Sequence, residues 1–255
     1  MCTIAVAFRV HPDHPVVLAA NRDEFYARPA TGPGELAPGI FGGRDTIAGG
    51  TWLALREDGA FAAVTNQRNF MPRYGDRKSR GEVPVQILAH RGEEMAAFVR
   101  ALDPAQYNDG NFVFGDRDGV WVAYLRAEPA TLEVVALDRG LHVLTNDKLG
   151  SPDFPRADRA AALMLPAMHA PWRDAVPILA RALGDHEQPR ADQVGDPPPC
   201  APYGKDFLAQ LQAICIHTPA YGTRSSSIVA LSTKIDAYLH AEGHPCTNPF
   251  HEVSL

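Results

Sequence analysis

The second residue of the chain is a cysteine, set directly after the initiator methionine in MCTIAVAF. A methionine that precedes a small residue is ordinarily trimmed, and trimming would leave Cys2 with both a thiol and a free α-amine. Their reference pKa values are about 8.5 and about 7.7–8.0, so both titrate near neutrality. A nucleophile served by its own terminal amine is an established catalytic arrangement. The other reading of Cys2 is a small apolar residue in a first strand, since free cysteine is among the most buried side chains.

Polar residues at the ends of apolar runs decide how seriously to take the first reading. VVLAA runs into Asn21, Arg22, Asp23 and Glu24; AFAAV runs into Thr65, Asn66, Gln67 and Arg68; LHVL runs into Thr145, Asn146 and Asp147; ICIHTPAYG leads to Thr223 and Arg224. A buried strand delivers its terminal side chain to a definite point, because successive side chains alternate between two faces. Taken singly, each of these residues is explained as a turn former or a structural ion pair. Four consecutive polar groups directly after VVLAA are less easily explained so. The chemistry would fit an N-terminal thiol. A carboxylate such as Asp23 can hold the α-amine, asparagine amides can serve a tetrahedral oxyanion, and a nearby arginine favours the thiolate.

The elements that must position these groups are mostly strands. CTIAVAFRV and VVLAANRDEF read as two strands separated by the turn residues HPDHP. GTWLALRE and AFAAVTN read as a hairpin around Asp58-Gly59. Residues 83–102 read as two helices broken near Gly92 and stopped by Pro104. NFVFGD, GVWVAYLRA and LEVVALDRGLHVLTN follow as strands, the last folded back on itself at Asp138-Arg139-Gly140. RADRAAALMLPAM and WRDAVPILARALGDH have helical spacing, and a Pro-rich loop follows at about 186–204. AICIHT and GTRSSSIVAL read as a hairpin, and IDAYLHAEG as a last strand. Strands at both ends with helices between them indicate α+β rather than a parallel βαβ sheet. The expected architecture is one domain over 1–255, with two stacked sheets and helices outside.

Composition excludes several classes. The chain has 255 residues and a formal charge of −6, which is not the electrostatic footprint of a nucleic-acid binder. No apolar stretch approaches the ~20 residues of a membrane span, and the apolar start lacks the preceding basic residues of a signal peptide. Cys2, Cys200, Cys215 and Cys246 are widely spaced with no CxxC pair, so a reducing cytoplasm is the expected location. His240, His244, Cys246 and His251 are dense but fit no standard zinc spacing, so no metal ligand set is expected. Haem signatures are limited to the HPC stretch at 244–246.

MCTI, AANRDEFYARP, FGGRD, GGTWLAL, AAVTNQRN, SRGEVP and YGTRSSSIV together resemble the NRDE family, that of the transport and Golgi organisation protein two. The match runs in order from residue 1 to about residue 231. Thr145, Phe154 and Arg156 depart from the Ser-Asn and Trp-Pro-Lys typical of the family, whereas Asn146 matches. The resemblance implies an N-terminal nucleophile (Ntn) hydrolase-like fold, a four-layer αββα sandwich of two mainly antiparallel sheets. It extends distantly to choloylglycine hydrolases and penicillin V acylases, which cleave linear amides. Carried over by position, it implies Cys2, Arg22, Asp23, Asn66, Asn146 and Arg224 as catalytic residues. Asn21, Glu24, Trp52, Thr65 and Arg68 are expected to contact substrate. The amidase branch separates its Arg and Asp by two residues, whereas Arg22 and Asp23 are adjacent, so either Glu24 is the acid or the geometry differs.

Two functions follow as expectations. The first is an Ntn-type cysteine hydrolase of a linear C–N bond, with Cys2 as nucleophile after Met1 removal and no cofactor required. The second is a carrier of a hydrophobic ligand, haem or an acyl lipid, with Arg22, Arg68 or Arg224 meeting its carboxylate or phosphate. The haem and lipid trafficking linked to eukaryotic members of the family belongs to this second expectation.

Overall fold

The computed structural model describes residues 2–70, 75–201 and 203–255. Met1, whose removal the sequence reading invokes, lies outside the described residues. The first strand, Cys2–Phe8 (β1), is buried along its whole length. Ile4, Val6 and Phe8 enter one core together with Leu53, Leu55, Phe61 and Val113. Ala5 and Ala7 enter another, with Met164, Leu179 and Leu183. Because both faces are covered, the strand reads as a continuous apolar run instead of an alternation.

Twelve further strands follow in chain order: Val16–Phe25 (β2), Ala30–Ala37 (β3), Ile40–Asp45 (β4), Leu53–Arg56 (β5), Phe61–Asn66 (β6), Gly110–Gly115 (β7), Val120–Arg126 (β8), Thr131–Ala136 (β9), Gly140–Leu144 (β10), Tyr221–Leu231 (β11), Ile235–Glu242 (β12) and His251–Glu252 (β13). They form two sheets, ordered β10-β1-β2-β11-β12-β13 and β3-β4-β5-β6-β7-β8-β9, with antiparallel pairing throughout. The helices are Val83–Ile87 (α1), Glu93–Arg100 (α2), Pro155–Met164 (α3), Trp172–Leu183 (α4) and Lys205–Gln210 (α5).

Each sheet uses its two faces differently. The faces turned toward each other carry the large aliphatic and aromatic side chains of the inter-sheet core. The outer face of the second sheet is small at Ala54, Ala62 and Ala123 and is covered by Val83, Ile87, Met95 and Val99 of α1 and α2. The outer face of the first is small at Ala5, Ala7 and Ala19 and is covered by α3 and α4. Small residues let the helix backbones approach, and the result is the expected four-layer αββα sandwich. No helix among the described residues is long and apolar enough to cross a membrane.

Three local expectations are corrected. LEVVALDRGLHVLTN does not fold back on itself: β9 is an edge of the second sheet and β10 an edge of the first, so residues 137–139 carry the chain between sheets. AICIHT does not form a hairpin strand with β11; among the described residues it makes only the isolated bridge His217–Gly222. A helix that the sequence reading lacked, α5, follows the Pro-rich loop. Strands β3 and β4 also went unread. ATGPGELA is rich in Gly and Pro, and IFGGRD contains Gly43 because a Cβ there would stand 2.2 Å from the Trp52 ring. The Asp58-Gly59 turn is as expected, with Gly59 at φ +86.

Candidate active site

Cys2 pairs with Arg22 across the first sheet, which puts the two side chains on one face as direct cross-strand neighbours. That face is the inter-sheet face, at the end where the sandwich opens into a cleft of about 420 Å³. Cys2, Arg22, Asp23, Glu24, Trp52 and Asn66 all line it. The Arg22 guanidinium stacks 4.4 Å above the Trp52 ring, and its Nη2 lies 3.7 Å from Asp45 Oδ2. A buried, stacked guanidinium beside the thiol is thus held in one orientation.

Adjacent positions on a strand face opposite ways, and this resolves the unusual Arg22-Asp23 spacing. Arg22 faces the cleft. Asp23 borders the cleft but directs its carboxylate toward the helical layer, where Thr223 donates to its Oδ1 at 2.7 Å and Arg156 Nη1 stands 3.7 Å from its Oδ2. Glu24 returns to the cleft side, beside Arg28. The two acids therefore occupy different environments, and Asp23 is the buried one. Burial pushes its carboxyl up to about 6, against the pull of Arg156 and the Thr223 hydrogen bond. Burial likewise pushes the Cys2 thiol up, and the Asp23 charge adds to that; a backbone hydrogen bond from Asp23 and the Arg22 guanidinium act the other way.

Arg156 is the residue that sequence reasoning recorded only as a departure. Lying near the start of α3 and fully buried, it donates to the carbonyls of Leu211 at 3.0 Å and Cys2 at 3.3 Å. It also donates to Asn146 Oδ1. Asn146 Nδ2 in turn donates to the Asn66 carbonyl, and the backbone amide of Arg68 donates to the Asn146 carbonyl at 2.6 Å. Asn146 is thereby fixed with its amide nitrogen toward the end of β6. The signal that could have found Arg156 was its position: it stands where the resembled family carries a lysine, next to the matching Asn146.

The remaining expected residues are distributed as follows. Asn66 lines both the cleft at Cys2 and a second cleft of about 420 Å³. Arg68 lines the second cleft, over the Phe154 ring at 4.5 Å and paired with Asp153. Thr65 lines neither; its hydroxyl donates to the Thr145 carbonyl at 2.6 Å. Asn21 also faces away, donating to the carbonyls of Leu183 and Ile214 and accepting from Ser226. Arg224 lines neither cleft; its Nη1 donates to the carbonyls of Phe25, Tyr26 and Arg28 and so ties down the β2–β3 turn. Thr65, Asn21 and Arg224 thus brace the site from behind and touch no part of either cleft.

The two clefts meet at Asn66 and Glu24 and differ in character. The one at Cys2 is rimmed by Arg28, Arg77, Lys78 and Arg80. The other is lined by Tyr203, Phe207, Leu208, Leu211 and Tyr221, which α5, the residues flanking it and the start of β11 supply.

A family model described as "Transport and Golgi organisation 2" matches residues 1–240. Among curated proteins, the Transport and Golgi organization protein 2 homolog of Homo sapiens is 27% identical over 268 residues, covering 96% of this chain and 90% of the relative. The Bos taurus homolog is 26% identical over 266 residues, with the same coverage. Among solved structures, a mutant conjugated bile acid hydrolase from Clostridium perfringens superposes with a TM-score of 0.55 at 13% identity, over 100% of this chain and 97% of that one. A Caenorhabditis elegans N-acylethanolamine-hydrolyzing acid amidase ortholog superposes with a TM-score of 0.52 at 11% identity, over 90% and 92%. At such identities these two likenesses speak for the fold alone.

Proposed function

The chain belongs to the Transport and Golgi organisation 2 family, and from that premise we propose that it is an N-terminal cysteine hydrolase acting on a linear amide bond. The observation that carries the reading is the placement of Cys2 at the head of a central strand, on the floor of a polar cleft, with Arg22 beside it and Asp23 behind it. Removal of Met1 makes the Cys2 α-amine available. The thiol proton passes to that amine as sulfur bonds to the substrate carbonyl carbon. The oxygen takes up negative charge next to the Asn66 and Asn146 amides. The proton then goes to the departing nitrogen as the C–N bond breaks. Water attacks the resulting thioester, the acid leaves, and the thiol is restored. Asp23 holds the amine; Arg22 and its Trp52 stack favour the thiolate.

The paired clefts suit a substrate with unlike ends. An apolar portion fits against Tyr203, Phe207 and Leu211, and a polar or anionic portion against Arg77, Lys78 and Arg80, with the scissile bond near Asn66. The apolar cleft also favours a second reading, a carrier of an acyl or haem ligand whose carboxylates meet Arg68 and Arg22. Tyr203 and Tyr221 in the apolar cleft and Cys2 in the adjoining one are the side chains that could hold a haem iron there.

Intact mass of the untagged protein, followed by release of free amine from a panel of N-acyl amino acids, tests the reading. Loss of Met1, hydrolysis by the wild type and at least a ~1000-fold loss in Cys2→Ala are expected. Full hydrolysis by folded Cys2→Ala would sink it. Retention of Met1, together with apolar ligand bound equally by the wild type and Cys2→Ala, would establish the carrier instead.

A further inference from the structure

Behind the β2–β11 pair, away from both clefts, two short mirrored sequences come together: Cys215-Ile216-His217 and His244-Pro245-Cys246. Cys215 and His217 lie two apart in the irregular segment ahead of β11, and their side chains turn to the same point. The turn after β12 brings Cys246 and His244 against them. Cys215 Sγ lies 3.8 Å from Cys246 Sγ and 3.4 Å from His217 Nε2, and His217 Nε2 lies 3.2 Å from Cys246 Sγ. The His217 and His244 rings are 3.9 Å apart.

These spacings have a meaning for a cation. A tetrahedral ion with bonds of about 2.3 Å to sulfur and about 2.05 Å to nitrogen has S–S edges of roughly 3.8 Å and S–N edges of roughly 3.6 Å. The three observed edges lie within a few tenths of those values. The possible ligand atoms of Cys215, His217 and His244 all lie within 4.8 Å of one another, as do those of His186, His217 and Cys246. A second observation points the same way. His244 Nδ1 is buried without a hydrogen-bond partner, whereas its Nε2 faces the Tyr26 hydroxyl at 3.5 Å. A ligating imidazole has that pattern, with one nitrogen toward the ion and the other held by a neighbour.

We propose that Cys215, His217, Cys246 and His244 form a tetrahedral S2N2 site for a zinc-class divalent cation. Two thiolates neutralise the ion, releasing their protons as it binds, and the two imidazoles enter uncharged. Tetrahedral sulfur and nitrogen donors select zinc over magnesium or calcium, which take oxygen. The four ligands close the site, so its role is to fasten the 213–218 segment to the β12 turn. That segment leads directly into β11, where Ile216 and Thr223 are joined by two hydrogen bonds and Thr223 grips Asp23.

The test needs no substrate. Protein stripped with a chelator under reducing conditions is titrated with Zn2+ and, separately, with Co2+, whose visible absorption reports four-coordinate thiolate ligation. One equivalent bound, strong Co2+ bands and a Zn2+-dependent rise in melting temperature are expected. Cys246→Ser and His217→Ala should lose the one-equivalent site, and His244→Ala the tetrahedral Co2+ signature. Cys200→Ser, an exposed thiol outside the cluster, should keep both. Absence of stoichiometric binding, or binding by folded Cys246→Ser equal to wild type, overturns the proposal. A mass lower by two hydrogens in the non-reduced protein, mapped to a Cys215–Cys246 disulfide, overturns it as well, because the pair would then be a redox couple.

Discussion

The guanidinium of Arg156 stands 3.7 Å from the carboxylate of Asp23, and neither side chain has any solvent exposure. Such a pair is weak evidence for stability in itself, but removing one member strands the other charge in the interior, at a cost of about 3–5 kcal/mol. Arg156 also holds the Cys2 carbonyl and the Asn146 side chain, so it links the three chain segments that the site draws on. Arg156→Met should lower unfolding free energy in urea by roughly 3 kcal/mol or more. Arg156→Lys keeps the charge and should cost clearly less. Equal losses in the two variants would show that shape, not charge, is what Arg156 supplies.

Under the proposed hydrolase mechanism, the Asp23 carboxyl, raised to about 6, gives the reaction an acid limb. The carboxylate must be charged to hold the terminal amine, so hydrolysis should fall about tenfold per pH unit below about 6. Asp23→Asn should be slow and should lack that limb. A wild-type profile that stays flat to about pH 5 would take Asp23 out of this role. The shift also has a sign for stability. Between pH 3.8 and about 6 the folded protein holds a proton that the unfolded chain has released. This group's contribution therefore weakens stability as pH rises through that window, and the penalty is absent below it.

Gly43 and Trp52 form one device. A Cβ at Gly43 would meet the Trp52 ring at 2.2 Å, and the ring is the platform under Arg22. Gly43→Ala should displace the ring and so resemble Trp52→Ala. Each should lower kcat about 5- to 30-fold, the kinetic equivalent of losing a partly desolvated stack of about 1–2 kcal/mol. The double variant should be no worse than either single one. Additive losses, measured as kcat on a hydrolysed amide, would mean that Gly43 acts elsewhere.

Phe207 lies in the apolar cleft and not in the cleft at Cys2. Phe207→Ala should raise KM for a substrate with a long apolar portion about tenfold or more, while leaving a short one nearly unchanged. Its kcat should hold in both cases. A loss of kcat on short substrates would place Phe207 in the reacting centre.

Much of this arrangement is legible in the order of residues, and the illegible part has physical causes. Strands β1, β2, β5 to β8 and β12 are apolar runs bounded by turn formers, so their existence follows from composition. β4 was hidden because the close approach of the Leu53 carbonyl and the Trp52 ring requires Gly42 and Gly43, which read as loop, and β3 because Gly32, Pro33 and Gly34 interrupt its run. α5 was hidden because six residues after a Pro-rich stretch are too few to show a period. The catalytic candidates at β1, β2 and β6 were visible as polar groups closing apolar runs. Which face each would take was not, because the adjacency of Arg22 and Asp23 becomes meaningful only once β2 is known to be covered on both sides. Arg156 was least legible, since an arginine at the start of a helix ordinarily points to water.

The strand order has a consequence for the timing of events during synthesis. β1 is flanked by β10, and β2 by β11, from residues 140–144 and 221–231. A ribbon of β1 and β2 alone is marginal in water. At ~5–20 residues per second, roughly ten to thirty seconds separate the emergence of Cys2 from that of β10, and longer from that of β11. Throughout this interval Cys2 lacks the flanking strands of its sheet, so an aminopeptidase acting on the nascent chain would meet the Met1–Cys2 bond before β10 and β11 arrive. Trimming therefore has its opportunity first, and the thiol gains its neighbours afterwards.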